Sequence, residues 1–277
     1  MESYLSLLEE SFPGIKNNII RCESLGFKWA GEGRIFGKEE NGKAVCHVGY
    51  YETSALIEGD WCRIGALHAI CTQSSCRSQG HASQLILDAL KWAEKNCSIV
   101  ILFTEIPEFY TRLSFREIQE YRFHIPCEHM KGHKVLRQIQ IPNDNDLFLR
   151  CFREREPLSH RFWIKDNGVV ASFNTLFATY PIFWSLHYSP AIDGLLSFKL
   201  ENQTLHLFDV VAKKIPSLEL ILDHFHTPIK NIYFYFSPDR FTQSAVSEPY
   251  LYDQGHLMVH GAMPIVGPFM ISPLSRC

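Results

Sequence analysis

A short polar segment of the chain carries the residue types that can hold a phosphate. Residues 77–82 read Arg-Ser-Gln-Gly-His-Ala, after a strand-like apolar run from Ala66 to Thr72 and before a helix-like run from Ser83 to Lys95. Amide groups in the first turn of a helix carry positive partial charge, and a glycine such as Gly80 lets an anion approach the main chain. The segment therefore predicts a pyrophosphate site, and a plain tight turn into a helix is the alternative.

A second feature follows downstream. The run from Val100 to Glu105 is typical of a buried strand, and residues 109–115 then read Phe-Tyr-Thr-Arg-Leu-Ser-Phe. The two strings in this order resemble the GNAT (Gcn5-related) acyl-CoA N-acyltransferases. In that family the first string binds the acyl-CoA pyrophosphate, and a tyrosine followed four residues later by Gly-Phe comes after the next strand. Here Ser114 stands in place of that glycine, so the chain departs from the pattern but keeps a small residue.

The resemblance implies acetyl-CoA as cosubstrate and a set of contacts for it. In the family, main-chain groups of the fourth strand pair with pantetheine, and amide groups of the next loop meet the pyrophosphate. Carried over residue by residue, the expected contacts are Ile70, Cys71, Thr72, Arg77, Ser78, Gln79, Gly80, His81, Ala82 and Ser83.

The resemblance also implies catalytic residues. Tyr110 matches the tyrosine that lies near the thioester sulfur, where a phenol can protonate the leaving thiolate. Its alternative role is a structural aromatic in a cluster with Phe109 and Phe115. Glu105, at the end of the strand where the sheet would open, is the candidate to orient substrate or a water molecule. A solvated carboxylate that caps the next helix explains it equally well.

The sequence does not single out one residue as the general base, nor one acceptor substrate. His68 and Glu58 are further candidates for a base, although GNAT chemistry often relays the proton through water. Glu52, Glu58 and Asp60 are candidates to attract an amine, and ordinary solvated loop positions are the alternative. We expect an amine-bearing acceptor, either a small molecule or a protein.

The patterns of the first half predict the elements that would position these residues. Asn41-Gly42 favours the positive φ values of a tight hairpin, and the helical and strand periodicities are regular. The expected elements are helices at Tyr4–Phe12 and Ile15–Leu25 and strands at Arg34–Lys38, Ala44–Tyr50 and Cys62–Thr72. The family's opening strand is not evident. The predicted fold class is α+β, a GNAT fold with a mixed, mostly antiparallel sheet flanked by helices.

The 277 residues exceed one such domain, so two are expected. We place a polar connector at Tyr121–Pro142, a GNAT catalytic domain at 1–135 and a second GNAT-like domain at 136–277. The second half is expected to repeat the order of helix, meander, helix and strand. Its expected elements are helices at Asp146–Arg153 and Pro216–Phe225, hairpins of Arg161–Lys165 with Val169–Phe177 and Leu195–Leu200 with Thr204–Val211, and strands at Ile182–Tyr188 and Asn231–Phe236.

The second half lacks a phosphate loop. Residues 209–217 contain no glycine, and Pro216 removes an amide donor. The chain thus resembles those GNAT enzymes, such as the enhanced-intracellular-survival type that acetylates aminoglycosides, that pair an active first domain with a degenerate second one.

The charge and cysteine content of the chain limit the partners and the cellular location that we expect. A net charge of −3 gives no reason to expect nucleic acid or an anionic membrane as partner, and the start of the chain is unlike a signal peptide. A cytoplasmic enzyme is expected, as a monomer or homo-oligomer. The nine cysteines contain no C-x-x-C pair, so no metal site or disulfide framework is predicted. Cys76, beside the phosphate turn, is a candidate reactive thiol.

Two functions of other classes remain open. A non-catalytic GNAT-like protein would bind a partner through the aromatic residues of the second half, namely Phe173, Phe177, Tyr180, Phe183, Trp184 and Tyr188. An acyl-CoA sensor would keep the cofactor loop and lose turnover. The presence of Arg77, Gly80, Ala82 and Tyr110 together favours the enzyme.

Overall fold

The computed structural model describes residues 2–26, 33–176 and 186–276. Seven α-helices and fourteen β-strands lie within these ranges. The helices are α1 Glu2–Ser11, α2 Ile15–Ser24, α3 His81–Ala93, α4 Pro107–Thr111, α5 Asn145–Glu154, α6 Val169–Leu176 and α7 Leu218–Leu222. The strands are β1 Gly33–Glu40, β2 Lys43–Ile57, β3 Asp60–Thr72, β4 Ile99–Thr104, β5 Arg116–Ile118, β6 Tyr121–His129, β7 Arg137–Gln138, β8 Phe162–Ile164, β9 Leu186–Ser189, β10 Gly194–Glu201, β11 Thr204–Ala212, β12 Ile229–Phe234, β13 Val246–Pro249 and β14 His256–Gly261.

The first sheet has the strand order β1-β2-β3-β4-β14-β5, with β8 added alongside β2. The pairs are antiparallel except β3 with β4, which run parallel. Helix α3 buries Ile86 and Leu90 against one face, while α1 and α2 bury Leu8 and Ile19 on the other. The predicted fold class, α+β with a mixed, mostly antiparallel sheet flanked by helices, is confirmed.

The second sheet has the order β13-β6-β12-β11-β10-β9-β7 and is also mixed, with β11 and β12 parallel. Its strand β6 corrects the interpretation of Tyr121–Pro142 as a polar connector, which is wrong for the first nine residues. Phe123 and Ile125 contribute to the core, while the alternate residues Arg122 and His124 face outward. Polar residues on one face of a half-buried strand gave the segment its loop-like composition.

The two sheets exchange strands along the chain. Strand β6, which precedes residue 135, pairs with β12 and β13 in the second sheet. Strands β8 and β14, which follow residue 135, pair with β2 and β4 in the first sheet. Neither sheet is therefore built from one half of the sequence alone. The division into 1–135 and 136–277 stays a prediction, and the strand pairing crosses it in both directions.

Two predicted turns have different outcomes. Asn41 and Gly42 have φ values of 51° and 74° and join β1 to β2 as a tight hairpin, as predicted. The hairpin predicted around residues 166–168 is wrong, because the residues after it form helix α6. The Asp166 carboxylate accepts hydrogen bonds from the amides of Val170 and Ala171 at 3.2 and 2.8 Å, so it caps a helix instead of opening a turn.

The remaining predicted helices and strands are present, most with ends shifted by no more than two residues. Strand β2 runs seven residues beyond its predicted end at Tyr50, and α7 has only five residues, Leu218–Leu222, of the predicted Pro216–Phe225. Strand β9 covers the end of the strand predicted at Ile182–Tyr188, and the rest of that prediction lies outside the described residues. Phe177, Tyr180, Phe183 and Trp184, named for a partner surface, also lie outside them. In the described residues, no helix is long and apolar enough to cross a membrane.

Candidate functional site

The first sheet opens between two neighbouring strands. Strands β3 and β4 pair over only three residues each, Ile64–Ala66 with Ile99–Ile101. Beyond this point β3 stays paired with β2 as far as Thr72, whereas β4 stays paired with β14 as far as Thr104. The facing edges of the two strands diverge there. Unpaired main-chain groups at such an edge are strong donors and acceptors for an extended ligand.

The loop after β3 ends in a helix start with free amide groups. Gly80 precedes α3 with φ 82°, and the first helical bond runs from the Gln84 amide to the Gly80 carbonyl at 3.0 Å. A side chain at Gly80 would meet nothing within 4 Å, so its conformation, not crowding, calls for glycine. In the described part of the chain the amides of Ser78 through Ser83 have no acceptor. This is the arrangement that binds anions at helix N-termini.

A groove of about 820 Å³ runs along the opened sheet and this loop. It is lined by all ten residues predicted to contact acyl-CoA and by Tyr110. Cys76 and Phe109, named from the sequence in other roles, also line it. Residues that the sequence reasoning missed complete the lining: Glu10, Ser11, Phe12, Ile106 and Arg112. The volume lies in the range of natural ligand pockets. The structure therefore brings the predicted cofactor set together in one place.

Charged and polar side chains fix the loop from outside. Arg77 is exposed and donates from Nε to the Thr72 carbonyl at 3.2 Å, which holds its stem against the end of β3. The His81 ring lies 3.3 Å from Lys38 Nζ and 3.6 Å from Glu40, so it ties the start of α3 to β1. The guanidinium of Arg77 remains available to a phosphate beside the free amides.

Tyr110 lies in α4, within the predicted aromatic cluster and at the groove, and its catalytic role stays a prediction. It is only 6% exposed and packs edge-on against Phe109 and Phe115, with ring centroids 5.0 and 6.0 Å away. It also lines the groove. Burial raises the pKa of Tyr110 to about 12, an effect reduced by a hydrogen bond with Thr104. The phenol is therefore protonated at neutral pH and available as a proton donor.

The turn after α4 explains the departure from the family pattern. Ser114 has φ 65°, in the left-handed region where the family has glycine. Its amide donates to the Thr111 carbonyl at 3.3 Å, and the Phe115 amide donates to the Tyr110 carbonyl at 3.2 Å. Serine thus makes the same turn at a cost of roughly 1–2 kcal/mol.

Glu105 lies just past β4, exposed, and is not part of the groove lining. Its neighbour is Asp253, a residue the sequence reasoning missed, on the loop that precedes β14. Pairing of His256 with Thr104 brings this loop to the end of β4. Partial burial, followed by the negative charge of Glu105, raises the pKa of Asp253. The two carboxylates thus influence one another electrostatically near the end of β4.

The other candidate bases and acidic residues are elsewhere. His68 is half-buried on the α1 side of the sheet, where desolvation, followed by the nearby His47, lowers its pKa to about 3. Glu58 lies in the β2–β3 turn and pairs with Arg161 at 2.9 Å. At about 3.3 Å per residue that turn is roughly 36 Å from Cys71 along β3. Glu52 pairs with Arg63 at 2.6 Å, and none of the three predicted acidic residues, Glu52, Glu58 and Asp60, lines the groove.

The second sheet opens in the same way, but its opening is filled. Strands β11 and β12 are parallel over Thr204–Leu207 and Asn231–Phe234 and then separate. The Ser272 hydroxyl donates to the Phe208 carbonyl at 3.1 Å, and Met270 exchanges hydrogen bonds with Ser237 at 3.0 and 3.3 Å. Residues 270–272 therefore lie where the first sheet has its open edge.

Among the described residues, no group of three or more histidine, cysteine, aspartate or glutamate side chains is placed to hold a metal ion. The Cys76 thiol lines the groove, 4.0 Å from the Gln73 side-chain oxygen. Its predicted reactivity stays a prediction.

Comparisons with known proteins agree with this geometry. Residues 1–118 match the family model of the acetyltransferase (GNAT) domain. A search of curated proteins gives no match. A probable N-acyltransferase from Enterococcus faecalis V583 aligns with a TM-score of 0.59 at 10% identity, over 93% of this chain and 69% of that one. A GCN5-related N-acetyltransferase from Kribbella flavida gives 0.54 at 14% identity, over 93% and 67%.

A third solved structure, Eis1 from Mycobacterium abscessus, gives a TM-score of 0.53 at 11% identity, over 82% of this chain and 64% of that one. At these identities the likeness establishes the fold, and it extends well beyond residue 118 into the part of the chain that forms the second sheet. The family match rests on the first sheet and its groove. The match therefore shows an acetyltransferase (GNAT) domain at residues 1–118, and the solved structures share its fold over most of this chain.

Proposed function

We propose that the protein transfers an acetyl group from acetyl-CoA directly to a primary amine. The observation that supports this most strongly is the single groove that joins the open edge of β3 to the free amides of Ser78 through Ser83. An extended edge suits the amide-containing pantetheine arm, and a helix N-terminus suits the pyrophosphate. Acetyl-CoA supplies the activated thioester.

Each part of the groove has a proposed role. Main-chain groups of Ile70, Cys71 and Thr72 pair with the arm of the cosubstrate. The loop amides and Arg77 hold the phosphates. In the reaction a C–N bond forms at the carbonyl as the C–S bond breaks, and the Tyr110 phenol donates its proton to the leaving sulfur. The proton lost by the amine leaves through water, and we assign Glu105 and Asp253 to receive or orient it; Glu10 is the carboxylate that lines the groove itself.

The second half is proposed to act as a partner unit without its own cosubstrate. Its opening is occupied by residues 270–272, and the loop after β11 has no glycine. It instead contributes β14, which carries the Asp253 loop to the end of β4. The acceptor would then approach between the first sheet and this loop.

Calorimetry with acetyl-CoA tests the proposal. Gly80→Asp places bulk and negative charge against the free amides, so it should abolish binding that the wild type shows at micromolar affinity. Gly42→Asp is the matched control, because Gly42 also has a positive φ and open space around it but lies in the β1–β2 turn. Absence of wild-type binding at millimolar acetyl-CoA would overturn the proposal.

An acyl-CoA sensor is the alternative function, and it shares the groove. A screen of primary amines with acetyl-CoA separates the two. Acetyl transfer at a measurable rate establishes the enzyme. Tight binding without transfer to any amine class would favour the sensor.

A further inference from the structure

Strand β3 contains an extra residue where it borders the groove. Gly49 of β2 pairs with His68, but His47 pairs with Cys71, so two residues of β3 face one residue of β2. This is a β-bulge. Its first residue, Ala69, has φ 49°, which is unfavourable for a residue with a side chain. Such a conformation persists only where the surroundings hold it.

The bulge decides which way the groove residues point. Leu67 and Ile70 both pack on the α3 face, three positions apart, although side chains of a regular strand return to one face every two residues. Ala69 and Cys71 both pack towards α1. A regular strand would turn Ile70 and Cys71 to the opposite faces. The main-chain edge proposed to pair with pantetheine would change with them.

One side chain of the neighbouring strand holds this bulge. His47 is 3% exposed, and its Nδ1 lies 2.8 Å from the Ala69 carbonyl oxygen. Because a carbonyl can only accept, Nδ1 carries the proton and donates it. Burial lowers the pKa of His47, so the ring is neutral. The imidazole thus supplies the donor that a regular ladder would have provided from the main chain.

The packing beside the bulge leaves little freedom for the strand to slip. The His68 ring lies directly over Gly49, where a side-chain carbon would come within 2.5 Å of it. The Tyr4 ring of α1 lies 6.0 Å from the His47 ring on the same side of the sheet. His47 is therefore held between α1 and β3, in position to donate to Ala69.

We propose that His47 is a positioning residue for acyl-CoA: its hydrogen bond to the Ala69 carbonyl keeps the bulge that presents Ile70 and Cys71 to the groove. This inference rests on the proposed function of that groove. His47 itself does not line the groove, so it would act through the strand.

Two substitutions at His47 and one elsewhere test this. His47→Leu fills the same space with an apolar side chain and removes the hydrogen-bond donor. His47→Asn keeps an N–H close to the Nδ1 position. His224→Leu is the matched control, since His224 is also 3% exposed and its Nε2 lies 2.6 Å from the Ser189 hydroxyl in the second sheet. Each variant is assayed for its acetyl-CoA Kd, KM and kcat and for its melting temperature.

We expect His47→Leu to raise the acetyl-CoA Kd about tenfold, the equivalent of about 1.4 kcal/mol. His47→Asn should stay within about threefold of the wild type. His224→Leu should lower the melting temperature without changing the Kd. KM for acetyl-CoA should rise more than kcat falls in His47→Leu, because the bulge positions the cosubstrate and not the reacting proton.

Several results would overturn the inference. A folded His47→Leu protein with wild-type affinity, or equal losses in His47→Leu and His224→Leu, would show that the hydrogen bond does not position acyl-CoA. If His47→Leu does not fold, His47→Gln replaces it; glutamine displaces the donor by one bond, so it must bind acetyl-CoA more weakly than His47→Asn. Failure of the wild type to bind acetyl-CoA would overturn both the proposed function and this inference.

Discussion

Arg276 and Glu120 form a buried ion pair, with Nη2 2.5 Å from Oε2, that ties the carboxyl-terminal segment to the chain just before β6. The other oxygen of Glu120 accepts the Ile271 amide at 2.9 Å. The Arg276 guanidinium also lies over the rings of Phe103 and Tyr252, at 4.5 and 5.2 Å. The Glu120 carboxylate thus holds residues 271–276 in place. This segment fills the opening of the second sheet, and its Arg276 packs on Phe103 of β4, a strand that borders the opening of the first sheet.

Removing that carboxylate should destabilise the protein strongly. Glu120→Ala leaves Arg276 buried without its counter-ion, and breaking a buried pair on one side costs about 3–5 kcal/mol. Urea unfolding measures the loss. Glu201→Ala is the control, because its pair with Lys199 is exposed and should be worth under about 1 kcal/mol. Equal losses in the two variants would contradict the structural role of Glu120.

Tyr110→Phe should slow the reaction while leaving binding intact. The change removes the proposed proton donor and keeps the ring that packs against Phe109 and Phe115. General acid catalysis contributes about 10²–10⁴ in rate, so kcat should fall at least about 100-fold. The acetyl-CoA Kd should stay within about twofold. Tyr50→Phe, at a buried tyrosine outside the groove, should keep kcat, and an unchanged kcat in Tyr110→Phe would assign the phenol a structural role alone.

If the Tyr110 phenol is the proton donor, its pKa should set the alkaline limit of activity. Burial raises that pKa to about 12, so the phenol keeps its proton well above neutral pH. The acceptor amine reacts as the free base, so the rate should rise with pH and then level off without a decline below about pH 11. A pH profile of kcat with a stable amine measures this. A loss of kcat near pH 9 that is absent in Tyr110→Phe would contradict the raised pKa.

The Glu105 and Asp253 carboxylates near the end of β4 should be linked through their charges. Burial and Glu105 both raise the pKa of Asp253. Glu105→Gln removes one negative charge, so it should lower the pKa of Asp253 and move any acidic limb of the kcat/KM profile to lower pH. If Asp253 receives or orients the amine, Asp253→Asn should lower kcat/KM for the amine about tenfold and leave the acetyl-CoA Kd unchanged. A shift to higher pH in Glu105→Gln would contradict the arrangement.

Local chemistry made part of this structure predictable. The Asn41-Gly42 hairpin and the loop that ends at Gly80 depend on neighbouring residues, and both were predicted in place. Most of the groove lining was predicted because Ile70–Thr72 and Arg77–Ser83 follow one another closely along the chain. By contrast, the Asp166 signal predicted a hairpin, since an aspartate before glycine fits both a turn and a helix cap.

Long-range pairing accounts for what the sequence could not predict. Strand β14 is placed by β4, so Asp253 reaches the site through a contact that no local pattern encodes. No local pattern indicates His47 either, because its proposed role depends on a bulge in the neighbouring strand β3. Strand β6 was not predicted as a strand, because Arg122 and His124 on its outward face give the segment a polar composition. Asp253 and His47 were therefore missed because strand pairing places them, not the residues next to them in the chain.

The filled opening of the second sheet predicts that each chain binds a single acetyl-CoA. Ser272 donates to both the Phe208 carbonyl and the Asp209 carboxylate, and Asp209 also accepts from Arg155 Nη2 at 2.6 Å. A second cosubstrate would have to displace this buried network, in which Asp209 is fully buried. Calorimetry should therefore give a stoichiometry of one, and Gly80→Asp should reduce it to zero. A stoichiometry of two in the wild type, with one equivalent left in Gly80→Asp, would place a cosubstrate in the second sheet and contradict the filled opening.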